Sequence, residues 1–212
     1  NGIGHAAGVV AYLAGGTVEM CVNKAGVTTN VCRYTAGIVG SSEKGVIIKC
    51  RNTGAINSTF ESEGGHAAGI ANIAASVTQC WNEGNIELKT VEGKSANSRV
   101  AGVATGAPVL NSANFGKVSG PTWAETGVSI GGVGTTAVSN SYNLGTVTGA
   151  EGMTHNISSG TVVNSYYADI AGKTGIYVKD SAGITDADKS QSITITEVDG
   201  KKAYKVGNVE LV

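Results

Sequence analysis

The sequence predicts an all-β fold, a right-handed parallel β-helix of about six coils with a C-terminal β-hairpin tail. Three observations predict it. A short template recurs at intervals of about thirty residues. A second block containing Ala-Gly or Gly-Gly precedes each copy. The composition holds 32 Gly, 2 Pro and 5% aromatics within 41% hydrophobic residues, which suits short strands with small side chains inside rather than disorder.

The template is [VI]-x-x-[CS]-x-N-x-G-x-[VI]. It begins at Val18, Ile47, Val77, Val109 and Val138, and its two outer apolar positions lie nine residues apart in all five copies. A decayed sixth copy begins at Val162. The first copy departs once, with Ala25 where the others have Gly. The second block reads Ala7-Gly8-Val9, Ala36-Gly37-Ile38, Ala68-Gly69-Ile70, Ala101-Gly102-Val103 and Gly131-Gly132-Val133, with a weaker Gly152-Met153. The Cys/Ser positions are separated by 29, 30, 32, 29 and 24 residues, so constant strands alternate with variable connections. Each unit holds about three apolar segments without helical periodicity. A unit of this size cannot bury its own apolar face and must stack on its neighbours. The Asn-x-Gly element is expected to supply corners that need positive φ. Pro is scarce because it would remove a ladder hydrogen bond.

The pattern stops after the sixth copy, where Tyr167 replaces Asn and Asp169 replaces Gly. Residues 1–172 are therefore expected to form the β-helix, and 173–212 a cap or the start of a following module. All five aspartates, Asp169, Asp180, Asp186, Asp188 and Asp199, lie at position 169 or later. Asp199-Gly200 is expected to join two strands as a type I′ hairpin turn. The chain has no initiator Met and no signal peptide, which reads as a mature or excised fragment of a larger protein, expected to be monomeric.

The combination of "AGIVG" or "AGIAN" with "CRNTGAI", "CWNEGNI" or "SYNLGTV" resembles the GLUG-motif repeats of bacterial surface and secreted proteins. The resemblance covers residues 1 to about 170. It implies an adhesin-like or accessory module at the cell surface or outside the cell, and it carries no catalytic residues. The H-E-x-x-H motif of its metalloprotease relatives is absent.

Net charge is −1, so no electrostatic footprint for nucleic acid or an anionic membrane is present. No apolar run approaches the ~20 residues of a spanning helix, so direct membrane insertion is not expected. Cys21, Cys50 and Cys80 share one column, continued by Ser112, Ser141 and Ser165. The column reads either as a ladder of small buried side chains or as holding one disulfide, Cys21–Cys50 or Cys50–Cys80. Cys32 lies outside it. The column of Asn23, Asn52, Asn82, Asn114 and Asn143 reads as stacked amides or self-capped turns.

A further row, His5–Tyr34–His66–Arg99, follows from the repeated "GHAAG". It reads either as a contact surface for a glycan or a protein, or as a partly buried or merely solvated row. His155 fits no column. The connections at 57–69, 87–102 and 119–132 contribute Phe60, Arg99 and Trp123 as candidate anchors. Carboxylates do not fall in a shared column. Glu61 and Glu63, beside Phe60, are the best pair, and Asp186 with Asp188 alone cannot make a Ca²⁺ site.

These features predict a non-enzymatic extracellular repeat module of a bacterial surface or secreted protein, without cofactor or metal. It is either an adhesin-like binding surface for a glycan or a host or matrix protein, or a structural stalk. The alternative is a carbohydrate-active β-helix enzyme of the polysaccharide lyase or glycosidase kind, which would need clustered carboxylates.

Overall fold

The computed structural model describes residues 4–167 and the strands Ile193–Val198, Lys201–Val206 and Val209–Leu211. The boundary expected near 172, the five aspartates and Gly200 lie outside the described residues. The three C-terminal strands pair antiparallel, and Val198 lies opposite Lys201, the register of a two-residue connection.

Residues 4–167 form a parallel β-solenoid without helix. Each coil meets five stacks of short strands rather than the three segments expected from the apolar pattern. The second coil shows the order: Tyr34–Ala36, Val39–Ser42, Val46–Ile48, Arg51–Asn52 and Ile56–Thr59. We call these the first to fifth stacks. Five coils follow this order, and in the fifth the second stack shrinks to a bridge between Ala104 and Gly134. A sixth coil adds Thr154–His155, Val162–Val163 and Tyr166–Tyr167 to the first, third and fourth stacks. Six of the strands absorb residues expected to be connection, so the irregular stretches narrow to 60–65, 90–98 and 120–128.

The register corrects the sixth copy of the Ala-Gly block. Thr154 pairs with Ile130 and His155 with Gly131. The block equivalent to Gly131-Gly132-Val133 is therefore His155-Asn156-Ile157, not Gly152-Met153, and His155 belongs to the alanine column. Only six residues of the template survive in this coil, and spacing alone misplaced the rest.

The sharp corner also lies elsewhere than expected. Positive φ falls on the residue just before each Cys or Ser: Met20, Lys49, Gln79, Asn111, Asn140 and Asn164, at 44–53°. The Gly of Asn-x-Gly is required by close approach instead. A Cβ on Gly54, Gly84, Gly116 or Gly145 would meet the equivalent carbonyl oxygen of the preceding coil at 1.9–2.0 Å. Ala25 is tolerated because it lies in the first coil, where no described coil stacks beneath it, and it is exposed.

The Asn column is a continuous amide ladder. Nδ2 of Asn23, Asn52, Asn82 and Asn114 donates to Oδ1 of the next coil's Asn at 2.7–2.8 Å. Each Nδ2, Asn143 included, also donates to the carbonyl two residues on, so the amide closes its own turn. Across the interior the amides rest on the glycines of the second block. A Cβ on Gly37, Gly69 or Gly102 would come within 2.3–2.4 Å of Cγ of Asn52, Asn82 or Asn114. The two recurring motifs are thus the two sides of one contact, which is why they occur together.

Apolar side chains fill two cores along the axis. One joins Ile38, Ile70 and Val103 to Ile47, Val77 and Val109, and the other joins Ile56, Ile86 and Leu88 to Ala67, Val100 and Ile130. Each fully buried Ile or Leu contributes about 1.5–3 kcal/mol relative to exposure.

Candidate functional site

The expected row His5–Tyr34–His66–Arg99 exists in register. Its rings form a stack along the axis. His5 and Tyr34 lie parallel with centroids 5.2 Å apart, Tyr34 and His66 are tilted at 4.9 Å, and Tyr12 closes on His5 at 5.2 Å. The Arg33 guanidinium sits 5.5 Å from the Tyr34 centroid and donates from Nε to the Gly64 carbonyl.

The row runs beside the second stack, with His5 and Tyr34 half-buried. His66 is only 7% exposed, while Arg99 at the row's end is exposed. Thr105 Oγ1 spends its proton on the backbone oxygen and Oδ1 of Asn72, so it accepts from Nδ1–H of His66 at 3.4 Å. Asn72 in turn donates to the carbonyls of Thr35 and Gly40. Burial, reinforced by the Arg99 and Arg33 charges, holds His66 down at about 3, and burial also lowers His5. Both imidazoles are therefore neutral at pH 7.

The other two candidates do not join this row by any ring contact among the described residues. Phe60 packs against the second core. Trp123 is exposed in the 120–128 stretch, where its carbonyl accepts from Ser95 Oγ. Glu61 and Glu63 are exposed. Glu125 is committed to structure, its Oε2 accepting from the backbone N–H groups of Ser95 and Ala96.

The Cys/Ser column has a hydrogen-bonding role that a hydrophobic reading misses. Backbone N–H of Cys50, Cys80, Ser112 and Ser141 donates to the sulfur or oxygen of the next coil at 3.0–3.3 Å. Every member donates back to the carbonyl two residues before it. Cys and Ser interchange because each carries one donor and an acceptor on a single rotor. All four cysteines are free thiols, with Cys50 and Cys80 buried and Cys21 and Cys32 half-buried. Cys32 lies against the backbone of Gly4, where a Cβ would meet its Cα at 3.1 Å. Neighbouring thiols shift one another's titration. The Cys80 thiol draws Cys50 down to about 7, while Cys50 and burial push Cys80 up.

Sequence reasoning missed one surface. The residue before each ladder Asn points to the opposite side of its strand. In register these are Val22, Arg51, Trp81, Ala113, Tyr142 and Tyr166. Arg51 makes a bidentate pair with Glu83, at 2.8 Å from both Nε and Nη2. Phe115 meets Tyr142 edge-on at 5.8 Å. Trp81, Phe115 and Tyr166 are half-buried, while Ala113 and Tyr142 are covered. The signal was present in the variable positions flanking the Asn column, which were passed over in favour of the constant ones. The row can offer aromatic faces beside a fixed guanidinium–carboxylate pair. Among the described residues, no group of three or more His, Cys, Asp or Glu is placed to hold a metal, and no helix is long and apolar enough to cross a membrane. No family model, curated protein or solved structure matches this chain.

Proposed function

We propose that the chain is a non-enzymatic repeat module of a bacterial surface or secreted protein, of the GLUG-motif kind, with an adhesin-like binding surface on its fourth stack. The observation that carries this reading is the registered outer row in which Arg51, Trp81 and Tyr166 are half-buried, with half-buried Phe115 packed on the covered Tyr142 between them. The constant interior columns are hydrogen-bonded from coil to coil, whereas the outer row varies in residue type and includes half-buried Arg51 and Trp81. Half-exposed aromatic faces next to a fixed ion pair suit the apolar faces and hydroxyls of a sugar chain. The module acts outside the cell as a monomer, without cofactor.

The test is binding of the full chain to a glycan array and to a panel of host matrix proteins, repeated with Trp81→Ala and Tyr166→Ala. Binding that both substitutions weaken at least ~10-fold supports the surface, a loss in the range of an interface anchor. Blank panels refute the adhesin and favour a stalk. Release of new reducing ends from any polysaccharide refutes the non-enzymatic reading.

A further inference from the structure

Hydrogen bonding explains why the column holds Cys or Ser but not why three successive members are Cys. Ser112, Ser141 and Ser165 make the same pair of bonds with shorter, stronger geometry. Cys50 and Cys80 also lie in the first core and Cys21 packs against it, but that apolar role does not require three neighbouring thiols. Sulfur does add redox chemistry. The three thiols occupy the end of the column nearest the first coil, and Cys21 is the half-buried one.

The spacing allows covalent bonds between neighbours only. Adjacent coils bring Cα atoms to ~4.8 Å, within the reach of a disulfide, whereas Cys21 and Cys80 are two coils apart at ~9.6 Å, beyond it. The three sulfurs also run along the solenoid axis. Exchange at sulfur proceeds with attacking, central and leaving atoms in line. Cys50 is the middle member of the column, so it can bond to either neighbour, and Ser112 ends the run of thiols.

We propose that Cys21, Cys50 and Cys80 form a thiol–disulfide exchange site that takes one disulfide from a low-molecular-weight disulfide and shuttles it between two registers, Cys21–Cys50 and Cys50–Cys80. The Cys21 thiolate attacks a small disulfide RSSR, forming Cys21–S–SR and expelling RS⁻, which takes up the proton Cys21 lost. The Cys50 thiolate attacks Sγ of Cys21, forming the Cys21–Cys50 bond and expelling the second RS⁻, which takes the proton from Cys50. Two protein thiols are oxidised and RSSR is reduced to two RSH. The Cys80 thiolate then attacks Sγ of Cys50, the Cys21–Cys50 bond breaks, and the departing Cys21 thiolate takes up the proton of Cys80. That last step changes no oxidation state. Closing a bond breaks only weak S–H bonds to the carbonyls of Glu19, Ile48 or Thr78. The Cys80 thiol lowers Cys50 to about 7, so Cys50 is the readiest nucleophile. Burial raises Cys21, and the Cys50 thiol together with burial raises Cys80, which makes entry at Cys21 and transfer to Cys80 the slower steps. This inference is independent of the binding surface.

The experiment incubates the full chain with glutathione disulfide, quenches in acid, alkylates free thiols and maps disulfides by peptide mass spectrometry. Serine variants keep the fold because the column already uses serine, and circular dichroism checks this. The expected result is one intrachain disulfide per wild-type chain, split between both registers. Cys80→Ser gives Cys21–Cys50 alone. Cys50→Ser gives no disulfide within the column and leaves Cys21 as a mixed disulfide with glutathione. Cys21→Ser slows oxidation of the buried pair at least ~10-fold, the loss expected when the accessible entry thiol is removed. A wild-type column that stays reduced, a single register in the wild type, or a Cys21–Cys80 bond overturns the proposal.

Discussion

Replacing Asn82 by Ala removes the centre of the amide ladder. In the native chain Asn82 accepts from Asn52 at 2.7 Å and donates to Asn114 Oδ1 at 2.8 Å and to the Gly84 carbonyl at 2.7 Å. The residue is fully buried, so no water replaces it. The substitution orphans one N–H of Asn52, the Asn114 oxygen and the Gly84 carbonyl. Each unsatisfied buried group costs about 1–3 kcal/mol, so the sum is ~3–9 kcal/mol, before any cavity left against Gly69. Asn23→Ala at the ladder's end orphans fewer groups. Only Asn52 Oδ1 loses a buried donor, while Ala25, whose carbonyl the amide also caps, is exposed. Its cost is ~1–2 kcal/mol. Urea unfolding followed by far-ultraviolet circular dichroism measures both, and hydrogen exchange at the adjoining coils covers the case where coils open separately. Equal losses at Asn23 and Asn82 would refute the ladder as the element joining the coils.

Three further outcomes follow from the same geometry. Gly84→Ala drives a Cβ to 2.0 Å from the Gly54 carbonyl oxygen and costs at least ~3 kcal/mol by urea midpoint, whereas Ala25→Gly costs no more than ~1 kcal/mol. His66 makes stability depend on acid. The unfolded imidazole takes up its proton near pH 6.5 and the folded one only near 3, so the unfolded chain binds more protons in between and stability falls as pH drops through that window. At ~1.4 kcal/mol per pH unit, unfolding free energy drops ~2 kcal/mol from pH 6.5 to 5, with His5 acting in the same direction, and His66→Gln flattens most of the slope. Arg51→Met removes a partly exposed ion pair with Glu83 and costs under ~1 kcal/mol, with the difference from wild type shrinking in high salt.

The repeat was readable because the constant residues are those that touch the next coil. Asn, Cys/Ser and the outer Val/Ile each contact their own equivalents, so a drift in one copy is punished by two neighbours. What stayed hidden was set by contacts without a side-chain signature. The left-handed corner is occupied by Met20, Lys49, Gln79 and three asparagines, residue types too varied to mark a backbone conformation. The glycines of Asn-x-Gly looked like corner residues, although the true reason is an approaching carbonyl; Ala25 was the clue, since a φ requirement would have applied to the first coil as well. The histidine row was found by alignment, but its burial depends on the second stack folding back over the first, which no local pattern announces. The aromatic row of the fourth stack went unread because its members differ from coil to coil.

The central claim is that equivalent residues of successive coils lie one strand spacing apart. Thr28, Asn57, Glu87, Ser119 and Thr148 are register partners on the fifth stack, and Thr28 and Thr148 are exposed. Spin labels at Thr28→Cys and Thr148→Cys, in a background with the native cysteines changed to Ser, measure the span by pulsed electron resonance. Four strand spacings predict a narrow distribution centred near ~19 Å. A broad distribution, or one centred well beyond 30 Å as ~120 residues of loosely ordered chain would give, contradicts the stacked solenoid.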